Sequence, residues 1–255
     1  MTKRSNTMKA GILHLSDIHV SIERDLLDLT SVANASSAWL SSLNHFFILI
    51  SGDRGNTGKN AEYESAEKVL KNLEKRIRDI KSDLLVDFIL VPGNHDCNFS
   101  SPNEMREALI HGLKSKGFDK LESDGRIIET IAEIQNNFFK FGAQFDGASP
   151  LKGLGRLYYQ RSFKFDSHSI SFHCYNTAWL SAKREELGTL FVPIKQLTTS
   201  IPEETANHLR IATYHHPDNW LKPESRKEFR RYIHSSSHLV LTGHEHQSKY
   251  SSLGP

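Results

Sequence analysis

Leu84-Leu-Val-Asp-Phe-Ile-Leu-Val-Pro-Gly-Asn-His-Asp96 is the stretch on which the fold turns. Residues 84–91 are rich in strand formers. Pro92 suits a strand end because it cannot donate a ladder hydrogen bond, and Gly93 permits a tight turn into a loop of Asn94, His95 and Asp96. Upstream, residues 60–81 place Tyr63, Ala66, Val69, Leu70, Leu73, Ile77 and Ile80 at helical intervals with charges between them, which predicts a long amphipathic helix. Ahead of that helix, His45-Phe-Phe-Ile-Leu-Ile50 stops at Ser51-Gly52-Asp53, and residues 11–15 stop at Ser16-Asp17. Between those two runs Leu26, Leu27, Leu29, Val32, Ala38, Trp39 and Leu40 recur at roughly helical spacing. Strand, helix, strand, repeated, is the grammar of a layered α/β domain.

Downstream the pattern changes. Residues 105–113 and 127–141 read as helical, but Gly112, Gly117, Gly142, Gly147, Gly153 and Gly155 together with Ser149-Pro150 interrupt residues 98–157, which we read as an inserted, partly helical cap beside the Asn94-His95 loop. Residues 163–165 and 169–175, joined by a polar turn at Asp166-Ser167, predict a β-hairpin that Asn176 to Trp179 closes. A short helix is expected over 203–209, then a strand over 210–214 delivering His215-His216-Pro217. Residues 226–234 suit a helix, and 237–242 a strand leading into Gly243-His244-Glu245-His246. There is no internal repeat.

The chain has 255 residues, enough for one large domain spanning 1–255. Its formal charge of +2 neither selects nor excludes a nucleic-acid partner. Cys97 and Cys174 are the only cysteines and lack zinc-ligand spacing, so reduced thiols in a cytoplasmic protein are expected, with Cys174 buried on a strand. The basic start runs into too short and too polar a stretch for a signal peptide or membrane helix, so no membrane insertion is expected. The chain stops soon after His246; residues 248–253 supply a brief last strand, or a C-terminal regulatory or targeting domain belongs to a longer polypeptide, and we favour the second.

Asp, Asn and His therefore collect where strands end, which is where open α/β sheets place their sites. Asp17 and His19 can face one ion, Asp53 has two oxygens with which to bridge a pair, Asn94 offers a carbonyl oxygen, and His215, His244 and His246 offer nitrogens. Mixed nitrogen and oxygen donors suit Mn, Fe or Zn. Any one of these residues has an ordinary reading as a helix cap, a turn or a surface histidine.

Taken in order, Asp17-Ile-His19, Gly52-Asp53, Gly93-Asn-His-Asp96, the later His215 and Gly243-His-Glu-His246 resemble the calcineurin-like metallophosphoesterase superfamily. The resemblance implies a four-layer α/β/β/α sandwich of two mixed sheets. It also implies two divalent or trivalent metal ions, one held by Asp17, His19 and His246, the other by Asn94, His215 and His244, with Asp53 between them. A bridging hydroxide would attack a phosphate ester in line. His95 would contact the phosphate or protonate the leaving oxygen, with Asp96 orienting its imidazole. In the His-His-Pro segment the first histidine is the usual ligand, which leaves His216 as a supporting residue or substrate contact.

The implied activity is a metal-dependent phosphoesterase, read here as a phosphodiesterase because the inserted region favours a restricted pocket. A nuclease is the next reading, then a phosphomonoesterase or protein phosphatase, then a regulatory module without catalysis. The partner is a phosphate ester, with nucleotide and nucleic acid both open. Around these blocks, Arg54 is expected to turn outward. Glu245 should point away from the ions, and His14 should sit in a sheet. Tyr158, Tyr159, Phe163, Trp39 and Trp179 read as core, and the cations from Lys71 to Lys81 as a solvated face.

Overall fold

The computed structural model describes residues 8–20, 28–101, 103–116, 125–146, 149–165, 167–198 and 208–246. Three apolar runs form the first sheet: β1 (Ala10–Leu15), β2 (His45–Ser51) and β3 (Leu85–Val91), hydrogen-bonded in that order and parallel throughout. Parallel neighbours need crossovers, supplied by helix α1 (Thr30–Leu40) and helix α2 (Asn60–Ile80). Because both faces are covered, β2 is buried at every position instead of alternating with polar residues. All three strands end at one edge, so the loops bearing Asp17, Asp53 and Asn94 emerge together.

The second sheet runs β4 (Tyr158–Phe165), β5 (His168–Tyr175), β6 (His208–Tyr214), β7 (Leu239–Thr242) in spatial order. Strands β4 and β5 form the expected antiparallel hairpin, while β5, β6 and β7 pair in parallel. This sheet is mixed, as the resemblance implies; the first is not, because helical crossovers rather than hairpins feed its described strands.

Strand alternation divides the interior into layers. Phe47, Leu49, Ile89 and Val91 point one way and meet Phe172, Cys174 and Ile211 between the sheets. Ile48, Ile50 and Leu90 point the other way and meet Ala33, Leu40, Leu70 and Leu73 of α1 and α2. On the far side, helix α7 (Pro223–Ser236), which follows the short helix α6 (Ile194–Thr198) in the chain, lays Phe229 and Ile233 against Tyr175, Ala212 and Tyr214. The result is the four-layer α/β/β/α sandwich.

Residues 98–157, expected to form an inserted cap, supply helices to both flanks of the sandwich. They contain α3 (Glu104–Lys116), α4 (Gly125–Ile131) and α5 (Asn136–Asp146). Helix α5 packs Phe138, Phe139 and Phe141 into the core outside the first sheet, whereas Leu113 of α3 and Ile128 and Ile131 of α4 join the core outside the second. Buried Arg106 ties the flank down, donating to the carbonyls of Ile131, Trp179 and Ser181. The single helix expected over 127–141 is split by a tight turn, Ala132–Gln135, where the Gln135 and Asn176 amides pair.

Trp179 is fully buried as expected, but Trp39 is 75% exposed. Helix α1 buries Ala33 and Leu40, seven residues apart on one stripe, and position 39 falls off that stripe. Of the helix expected over 203–209, residues 203–207 lie outside the described residues and His208 and Leu209 open β6. Leu26 and Leu27 and the expected strand over 248–253 also lie outside them. Among the described residues no helix is long and apolar enough to cross a membrane.

Candidate metal centre

The loops after the strands are stitched to one another by backbone bonds. Asp17 N–H donates to Gly52 O at 3.2 Å, His19 N–H to Asp53 O at 3.0 Å, and Gly243 N–H to His215 O at 3.0 Å. His244 N–H reaches the Asp17 carboxylate at 3.0 Å, closing the last loop onto the first. Glycine makes this approach possible. A Cβ on Gly93 would come within 2.7 Å of Asp53 N, and one on Gly52, where φ is +107°, within 2.6 Å of the His215 ring. Five non-glycine residues among those described have positive φ: Asp17, His19, Asp53, His244 and His246. All five are sequence-predicted ligands, and left-handed backbone in such residues marks a site held under constraint.

The seven predicted ligands come together. Asp53 Oδ2 lies 3.2 Å from His215 Nε2. Asn94 Oδ1 lies 3.1 Å from both His215 Nε2 and His244 Nδ1, and those two nitrogens are 3.2 Å apart. His246 Nε2 lies 3.6 Å from Asp17 Oδ1, and the His19 and His246 rings stack with centroids 5.6 Å apart. Donor atoms of Asp17, His19 and His246 fall within 4.8 Å of one another, as do those of Asp17, Asp53 and His215. Asp17 Oδ1 and His19 Nδ1 are buried with no hydrogen-bond partner. Such orphaned donor atoms, beside crowded nitrogens and oxygens, fit a pair of cations.

Electrostatics keep His19 and His244 ready to ligate. Burial lowers the pKa of His19 and His216, and burial with the neighbouring His216 and His215 takes His244 down to about 4. Burial would also lower His215, but the Asp53 charge and hydrogen bond prevail and leave it at about 8. In return, burial of Asp53 is outweighed by His215, which holds the carboxyl well below the usual carboxylate range. His215 Nδ1 donates to Ser51 O at 2.8 Å, which fixes the tautomer and aims Nε2 at the cluster. His216 is nearby, yet its Nε2 meets Glu185 at 3.0 Å and its Nδ1 meets Thr177 at 3.1 Å, so both nitrogens are engaged.

His95 stands beside this group, its ring 4.7 Å from that of His19. Its Nδ1 is held by the Asn56 carbonyl at 2.8 Å, not by Asp96. Asp96 instead builds the loops: Oδ2 accepts from Asp53 N at 3.0 Å and Gly93 N at 2.9 Å, and Oδ1 from the Tyr63 hydroxyl at 2.9 Å. Arg54 also departs from expectation. It is fully buried, reaches Asp96 at 3.4 Å and lies 4.3 Å from the Phe138 ring centroid. Sequence reasoning had no signal for this, because Tyr63 and Phe138 belong to distant helices. Nor did it find Glu185, hidden in the charged run from Lys183 to Glu186, or Trp220, whose ring meets the His244 ring edge-on at 4.3 Å. Glu245 turns away to Asn219 at 3.1 Å, and His14 bonds Ser51 within the sheet at 2.7 Å, both as expected.

Two packed sheets with an Asp, Asn and His cluster at their shared edge define an α/β sandwich built around a candidate two-metal centre. Residues 10–248 match the family model for calcineurin-like phosphoesterases, and the chain belongs to that family. Comparison with curated proteins finds no match.

Proposed function

We propose that the protein is a metal-dependent phosphodiesterase. The observation that carries this reading is the convergence of Asp17, His19, Asp53, Asn94, His215, His244 and His246 beside His95. Asp17, His19 and His246 would hold one ion and Asn94, His215 and His244 the other, with Asp53 between them; Mn, Fe and Zn all suit this donor set. When bound, such a pair supplies Lewis-acid stabilisation of phosphoryl charge and lowers the pKa of water.

The chain's own residues do the rest. His95, with Nδ1 donating to Asn56 O, directs its other nitrogen at the cluster side, where it binds the phosphate or gives a proton to the departing oxygen. Asn56 is itself fixed, since its N–H donates to buried Glu62 at 3.2 Å. Arg54, the cation next to Asp53, is committed to Asp96 and the aromatic core, so it does not balance the second charge of a phosphomonoester dianion. That favours the singly charged diester. The buried free thiols of Cys97 and Cys174 accord with a cytoplasmic location.

The test is hydrolysis of bis(4-nitrophenyl) phosphate and 4-nitrophenyl phosphate by protein loaded with Mn, Fe or Zn, with and without chelator. Metal-dependent release from the diester is expected to dominate. Release from the monoester alone would favour a phosphatase, and inertness towards both a regulatory module.

A further inference from the structure

Away from the metal-ligand cluster, an open groove of about 920 Å³ runs along α7. Arg226, Lys227, Arg230 and Arg231 line it, together with His234, Leu221 and Pro223. Among the described residues no Asp or Glu lines it. Helix α7 carries four Lys or Arg against two Glu, in a chain whose whole formal charge is only +2. The cations are spaced in two i, i+4 pairs, 226 with 230 and 227 with 231, each about 6 Å apart along the axis. Among the described residues their acidic contact is Asp218, 3.6 Å from Arg226 Nε and 3.7 Å from Arg230 Nε, too long to absorb two guanidinium groups. All four cations are exposed.

The groove also leads somewhere. Asn219 lines it and donates to Glu245, which sits between His244 and His246, and Trp220, the next residue, packs on the His244 ring. Asn219 thus joins the lining of the groove to the loop that bears two of the metal-ligand candidates. We propose that the α7 groove binds a polynucleotide strand, with its phosphates on Arg226, Lys227, Arg230 and Arg231 and its course directed through Asn219 towards the metal centre. A strand is the ligand in which further phosphodiesters flank the one being cleaved, so a cationic track beside a diester site matches it. An anionic bilayer would need a flat or convex face and gains nothing from the connection through Asn219. This inference names the substrate class of the centre and rests on the phosphodiesterase reading.

Fluorescence anisotropy of labelled oligo(dT) and oligo(rU), titrated in parallel with the full chain in chelator so that no turnover occurs, tests it. Salt-sensitive binding of at least one is expected, and the pair identifies the preferred sugar. The double variant K227Q/R231Q and the quadruple R226Q/K227Q/R230Q/R231Q should bind progressively more weakly. The quadruple should lose roughly tenfold or more, and the salt slope should fall by about 0.7 for each phosphate contact removed. Hydrolysis of bis(4-nitrophenyl) phosphate should be unchanged in both variants, which also shows that they fold. Failure of both oligonucleotides to bind, affinity indifferent to the four substitutions, or groove-dependent capture of phosphatidylserine vesicles without oligonucleotide binding would overturn the proposal. Groove-dependent binding by a wild-type protein that hydrolyses no diester would instead sink the phosphodiesterase reading and leave the groove standing.

Discussion

At Asp53 two demands meet in one side chain. Oδ1 accepts the His95 amide at 2.9 Å and Oδ2 faces His215 at 3.2 Å, so the carboxylate couples the proposed proton donor's loop to the proposed ligands. Asp53→Asn keeps the size but removes the charge that raises His215. Elemental analysis should find both metals depleted in this variant, and two ions retained at wild-type affinity would refute the bridging role. His95→Ala touches a different function. It should keep its metal content and lose about 10²- to 10⁴-fold in diester turnover, the ordinary worth of a positioned acid. Unchanged turnover would remove His95 from the reaction. The metal-free protein also has a definite proton linkage. His215 titrates at about 8 and must be neutral to ligate, so below that pH an incoming ion has to displace its proton. Metal affinity should therefore fall as pH drops from 9 towards 6, with proton release visible as a buffer-dependent enthalpy in calorimetry. His244, already lowered to about 4, adds nothing to that window.

The loops after β1, β2 and β3 act as one element because Asp96 gathers them. Its carboxylate takes two backbone amides and the Tyr63 hydroxyl, and buried Arg54 supplies the compensating charge. Replacing Arg54 by Met removes one partner of a pair in which neither side chain is exposed. Breaking such a pair typically costs about 3 to 5 kcal/mol, and the 3.4 Å separation puts this one near the lower end. Urea denaturation should register that loss; a change of less than about 1 kcal/mol would mean that the guanidinium only fills space. This element also separates what the sequence revealed from what it concealed. Each strand end was legible because an apolar run stopped abruptly at Gly-Asp, Gly-Asn-His or Gly-His, and the order of those stops implied the sandwich. The inward turn of Arg54 and the work of Asp96 were not legible, since both depend on Tyr63, Phe138 and Phe141, which no local pattern connects to Asp53. The division of α3, α4 and α5 between two outer layers was hidden for the same reason: their apolar stripes announce burial but not the surface that provides it.

Across the molecule, the candidate centre is an interface. Asp17, His19, Asp53 and Asn94 come from the first sheet, and His215, His244 and His246 from the second, so ligand geometry depends on how the sheets dock. That docking is set by Phe47, Leu49, Ile89 and Val91 against Phe172, Cys174 and Ile211. Phe172 is fully buried there, and its ring centroid lies 4.9 Å from that of Phe47. Phe172→Ala should cost about 3 to 5 kcal/mol, as truncation of a core aromatic does. Metals held by residues of both sheets would act in the opposite direction. An ion that binds only the folded chain stabilises it by about 2.7 kcal/mol at a hundredfold excess over its dissociation constant. Scanning calorimetry of the wild type should therefore show Tm rising with metal and falling with chelator. Asp53→Asn should lose most of that increment, while Phe172→Ala should keep it from a lower baseline, because its ligands are intact and only their scaffold is weakened. If Phe172→Ala proved as insensitive to metal as Asp53→Asn, sheet docking would be a precondition of ligation itself, and the core between the sheets would count as part of the metal site.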